Sequence, residues 1–186
     1  MTEDTFDFFG ELLFDEAKFL FEKAHESKYK KEKQLYLHAS LLVGISALEA
    51  YINAVCQEVV ETEEYGIDLY GKSLLYEKKI ELDKGCAKLG KQLQMTRLTD
   101  RIEYLYNRFS KRKICDSDTW RVAIHQAITL RNELVHPKQV LSLTEKQVET
   151  ALQSVLDTID AVFMVVYSTH LPILNYGLQS VKHYNE

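Results

Sequence analysis

The run Arg131-Asn132-Glu133-Leu134-Val135-His136-Pro137 gathers residue types that can do acid-base and phosphate chemistry without a cofactor. An imidazole titrates near neutrality and can carry a proton, and a guanidinium offers a planar fork to phosphate oxygens. Together they suit metal-free phosphodiester cleavage. Asn132 and His136 stand four apart and share a helix face, and Arg131 is long enough to swing toward the same point. Three polar groups are therefore expected to converge at a helix end. Spacing alone leaves a second reading open, in which a helix-terminal Arg and His complement the helix dipole. The sequence contains no Gly-rich phosphate loop, nucleophile elbow or dinucleotide fingerprint. The other histidines, His25, His38, His125, His170 and His183, have no i, i+4 partner among themselves, and Cys56, Cys86 and Cys115 are widely spaced. Neither a metal site nor a cofactor is expected.

Helices must position these groups. The 186 residues include only seven Gly and two Pro, so turns are scarce and the expected class is all-α. Phe6, Phe9, Leu13, Ala17, Leu20 and Ala24 predict a helix over 2–27. Leu37, Leu41, Ile45, Leu48, Ile52, Val55 and Val59 predict a second over 32–61, the strongest in the chain. Beside that stripe lie Ser40, Gly44 and Ala47, small residues that predict close backbone approach to a neighbour. Residues 62–95 read as an irregular, Lys-rich insertion of loop and short helices. Leu98, Ile102, Leu105 and Phe109 restore the rhythm up to Lys111-Arg112-Lys113. Ser117 or Asp118 is expected to cap a helix carrying Trp120, Ile124, Ala127 and Leu130, which must end near His136 because Pro137 disfavours the α conformation before it. Ser142-Leu143-Thr144-Glu145 has capping-box spacing and opens a last helix on Val148, Leu152, Val155, Ile159, Val162 and Val166, ended or followed by Pro172. One antiparallel up-and-down bundle over 1–172, with a tail over 173–186, is the natural way to bury these stripes.

The net charge of -5 conceals an uneven distribution. Residues 72–113 carry twelve Lys or Arg against five Asp or Glu, and the rest of the chain is correspondingly acidic. That basic segment reads either as the solvated face of a helix pair or as a nucleic-acid track in which Arg101, Arg108, Lys111, Arg112 and Lys113 are the candidate RNA contacts. Tyr104 and Tyr106 lie among them and could stack on bases or belong to the core. The acidic start Met1-Thr2-Glu3-Asp4, the odd cysteine count and the lack of about eighteen uninterrupted apolar residues lead us to expect a cytoplasmic protein with no membrane partner.

Arg131-Asn132-x-x-x-His136 followed by Pro137 resembles the signature of the HEPN superfamily, and Ser46-Ala47-Leu48-Glu49-Ala50-Tyr51-Ile52-Asn53 is similar to that family's small-residue, Glu-aromatic stretch. The two matches occur in the expected order and, with the last helix, cover about half the chain. The resemblance implies a HEPN-like bundle, a homodimer with motif helices facing across a two-fold axis, and a metal-independent endoribonuclease site. His136 would move the 2′-hydroxyl proton, Arg131 would stabilise charge on the phosphorane-like transition state, and Asn132 would orient one or both. Products would carry 2′,3′-cyclic phosphate and 5′-hydroxyl ends. Glu49 is either the partner that holds Arg131 or a plain surface glutamate. A toxin or defence role with an antitoxin or other protein partner fits this picture. Many family members are instead non-catalytic modules that bind protein or nucleic acid, and an unrelated helical protein is the remaining alternative.

Overall fold

A computed structural model describes residues 4–115, 118–171 and 175–181, with side chains from residue 9 onward. The described chain is mainly helical: α1 Asp4–Glu26, α2 Lys30–Glu61, a 3-10 turn Glu63–Tyr65, α3 Leu69–Leu75, a hairpin of β1 Lys78–Asp83 and β2 Cys86–Leu93, α4 Leu98–Phe109, α5 Thr119–Val135 and α6 Glu145–Tyr167. Three residues join α1 to α2, so the two pack as an antiparallel pair. α2 is the centre of the bundle and touches α1, α3, α4, α5 and α6. Its whole stripe from Leu37 to Val59 is buried. Both α2 and α6 are long and apolar enough to cross a membrane by length and composition, and here their apolar stripes line the bundle core.

The small residues of α2 mark its tightest contact. Ser40 Oγ donates to the Ala17 carbonyl at 2.8 Å, tying α2 to α1. A Cβ at Gly44 would stand 2.5 Å from Leu152 Cδ2 of α6 and 3.7 Å from Ala17 Cβ. Glycine costs a helix roughly 1 kcal/mol against alanine, and close approach of three helices offsets that cost.

Four expectations need correction. The middle segment is not only loop and short helix, because 78–93 folds into an antiparallel hairpin. Lys84 (φ 51) and Gly85 (φ 83) form a two-residue turn in which both residues are left-handed, the geometry that matches strand twist. Pairing of Ile80 with Leu89 and Leu82 with Ala87 gathers the apolar side chains on one largely exposed face. Its period-two signal spans few residues and is diluted by lysines. In α1 the buried face is Phe14, Ala17, Lys18 and Ala24, whereas Phe9 is exposed and Leu13 and Leu20 are half-buried. Ala17 and Ala24 of the expected stripe are buried and Leu13 packs at the edge of the core, but apolar residues occur on more than one side of this helix and periodicity alone misses Phe14 and Lys18; the Phe6 side chain lies outside the described residues. The capping box of α6 is Thr144 with Gln147, two residues later than Ser142 with Glu145. Glu145 instead receives Lys33 of α2 and meets His25 of α1. At α5 the N-cap residue is Asp118, but its carboxylate makes no cap bond, and Ser117 lies outside the described residues.

α6 ends at Tyr167 with Ser168 in the left-handed conformation, ahead of Pro172, which is also outside the described residues. The described part of the tail folds back on the bundle, with Leu178 packed against the core. Gly44→Val should lower unfolding free energy by about 1 to 3 kcal/mol, the usual cost of overpacking a filled core. Denaturant melts would read it, and unchanged stability would mean that α1, α2 and α6 do not approach this closely.

Candidate functional site at the end of helix α5

α5 lies on the bundle through Ile124 and Ala127, which are buried, with Trp120, Ile128, Leu130 and Leu134 partly buried beside them. Its other side is exposed at Val122, Gln126, Thr129, Asn132, Glu133 and His136. At about 100° per residue, Arg131 and His136 diverge by roughly 140° around the axis. The three motif residues therefore do not converge within one chain. Arg131 turns inward, where its Nη2 donates to Glu49 Oε1 of α2 at 2.7 Å. Asn132 and His136 face outward, and among the described residues neither side chain has a hydrogen-bond partner.

The helix stops where Pro137 requires. Val135 is the last helical residue, and His136 leaves the α conformation (φ -120, ψ 62) while its N–H still donates to the Asn132 carbonyl at 2.9 Å. The chain beyond then borders an open concavity of about 590 Å³ with Thr129, Asn132, Glu133, His136, Lys138 and Gln139 on its walls. Arg131 is not among them. Lys138 is the cation in this concavity, and the sequence reading did not single it out. The signal was Pro137 itself, since a chain that breaks at His136 can carry the next side chains back beside the imidazole. Imidazole, carboxamide and ammonium around one hollow can take a proton from a hydroxyl and hold an anionic group.

The Arg131–Glu49 pair is only partly buried, with side chains 25% and 42% exposed. Pairs so open to water contribute about 0 to 1 kcal/mol. Among the described residues the buried Arg131 Nε has no partner, so the guanidinium is incompletely satisfied where it lies.

The candidate RNA-contact residues separate into different environments. Arg101 is buried, donating to Asn53 and lying 3.8 Å from Glu77, so it is not on an accessible basic face. Its neighbour Cys56 is also buried, and desolvation pushes that thiol up to about 12 despite the guanidinium. Arg108 donates to the Tyr65 carbonyl at 2.7 Å. Arg112 forms a fork on Asp118, at 3.0 and 2.6 Å, and lies over the Tyr106 ring. Tyr106 in turn packs on Trp120, and Tyr104 packs against Gly71 of α3, so both tyrosines are committed to the fold. Lys111 and Lys113 remain exposed. On α5, Glu103 of α4 receives Arg121 at 2.8 Å and meets His125 at 3.1 Å. Among the described residues no group of three or more His, Cys, Asp or Glu is arranged to hold a metal.

Comparisons with protein-family models, curated proteins and solved structures found no match to this chain.

The Arg112 fork and the Cys115 N–H hold the Asp118 carboxyl well below the usual carboxylate range. A group depressed in the folded state stabilises fully above its unfolded value, and that contribution is lost as pH falls toward the folded one. Asp118→Asn should therefore lower the melting temperature at pH 7, with the gap to wild type narrowing below about pH 4. A gap unchanged between neutral and strongly acidic pH would show that this carboxylate does not tie Arg112 and Cys115 to the start of α5.

Proposed function

We propose that this chain is a HEPN-type, metal-independent endoribonuclease that acts as a cytoplasmic homodimer. The observation that carries the reading is the pair Asn132 and His136, exposed, unpartnered among the described residues and sharing one concavity with Lys138. In this mechanism His136 takes the proton of the 2′-hydroxyl, the 2′-oxygen attacks phosphorus as the bond from phosphorus to the 5′-oxygen breaks, and the His136 imidazolium returns that proton to the leaving 5′-oxygen. Asn132 orients the hydroxyl. Arg131 exchanges Glu49 for the phosphorane oxygens, which is energetically reasonable because an open ion pair contributes less than about 1 kcal/mol while a charge-assisted bond to phosphate contributes about 1.5 to 3. A second copy seated opposite the α5 end would wall off the hollow and double its polar groups.

The inward set of Arg131 favours a specific second reading. If the Glu49 pair is permanent, the motif only fastens α5 to α2, and the outer face of α5 is a binding surface for protein or nucleic acid. An antitoxin-like partner belongs to either reading.

His136→Ala and Arg131→Ala should each reduce RNA cleavage by at least about 100-fold, with nearly normal melts because truncation at a helix end removes little apolar burial. The assay uses purified chain, mixed RNA and excess EDTA, with product ends mapped for cyclic phosphate. Intact RNA with wild type, or equal cutting by both variants, would remove the nuclease reading and leave the binding module.

A further inference from the structure

Lys18 is the anomaly of α1. Its side chain is fully buried, and among the described residues its Nζ has no hydrogen-bond partner. The nearest compensation is the Phe14 ring, whose centroid lies 5.1 Å away. Burial lowers the basicity of this amine, against the opposing pull of Asp15, Glu22 and Glu11. An ammonium so placed is costly to keep from water.

The C-terminal segment lies across this point. The Ser180 N–H donates to Glu22 Oε1 at 2.8 Å, and its hydroxyl donates to Glu22 Oε2 at 2.6 Å. The Val181 N–H donates to Asp15 Oδ1 at 2.7 Å. Asp15 is three residues before Lys18 and Glu22 four after, so all three share one helix face and the two anchors straddle the amine. Gly177 (φ 52) turns the chain ahead of these anchors, and Leu178 seats it on the core.

We propose that residues 175–181 are a strap that opens and closes over Lys18, held shut by Asp15 and Glu22 and pushed open by hydration of the amine beneath it. Among the described residues, hydrogen bonds from Ser180 and Val181 close the strap, and the ammonium of Lys18, unpartnered there, opposes them. Opening bares buried Asp15 and Lys18 and half-buried Glu22 on one side of α1, next to Glu11, which is already exposed in the closed state. The device is independent of the α5 site.

The test combines amine labelling with amide exchange on the full chain. With N-hydroxysuccinimidyl acetate and peptide mapping, Lys18 should acetylate at least about tenfold more slowly than exposed Lys30. Glu22→Ala should bring it to within about threefold of Lys30. Lys18→Met keeps the length of the side chain and removes the ammonium. It should slow exchange of the Ser180 and Val181 amides by about tenfold or more, at unchanged helix content by circular dichroism. Wild-type Lys18 that labels as fast as Lys30, or strap amides that exchange equally or faster in Lys18→Met, would overturn the proposal.

Discussion

α2 has almost no free surface along its apolar stripe, and that constraint organises the rest of the molecule. A long helix buried at Leu37, Leu41, Ile45, Leu48, Ile52, Val55 and Val59 must be covered on several sides at once. α1 and α6 can come close only because Ser40, Gly44 and Ala47 keep side-chain volume out of the gap. Once those helices are seated, α4 and α5 take the remaining sides. Burial of large side chains contributes about 1.5 to 3 kcal/mol each, more than any open ion pair in the chain, so packing on α2 decides which way each outer helix turns.

For α5 that decision has a chemical consequence. Seating Ile124 and Ala127 against the bundle fixes the phase of the helix, and the phase sends Arg131 inward to Glu49 while Asn132 and His136 point to solvent. The residues adjacent in sequence are thus assigned different physical tasks. Arg131 meets a carboxylate on the central helix, whereas His136 sits at the negative end of the α5 dipole, with its imidazole free among the described residues and Lys138 bordering the same hollow. Any chemistry at this helix end must bring the two sides together, either by Arg131 leaving Glu49 or by groups from a second copy.

Much of this is legible in the amino-acid sequence. The seven-residue stripe of α2, the rhythm of α4 and α6, and the stop that Pro137 imposes on α5 are local signals repeated over several turns or fixed by covalent geometry. The phase of α1 was not, because Phe9, Leu13 and Leu20 compete with Phe14 and Lys18 for the inner face, and a buried lysine runs against every composition rule. The hairpin was hidden for a related reason: its turn at Lys84-Gly85 is one residue pair in a lysine-rich stretch. At the site, the i, i+4 pairing of Asn132 with His136 could be read directly. The direction of Arg131 could not, since a long side chain reaches whichever partner tertiary packing offers, and here packing offers Glu49. The basic cluster failed as a unit because net charge does not tell which arginines are spent on Asp118, Tyr65 or Asn53.

The central claim is that α5 holds Arg131 against α2 and leaves His136 outside. A double-mutant cycle on stability tests it most directly, pairing Glu49→Gln first with Arg131→Met and then with His136→Ala. The account predicts a coupling energy of about 0.5 to 1 kcal/mol for Glu49 with Arg131 and none above about 0.3 for Glu49 with His136. No coupling in the first cycle, or equal coupling in both, would contradict the assignment of the two faces of α5.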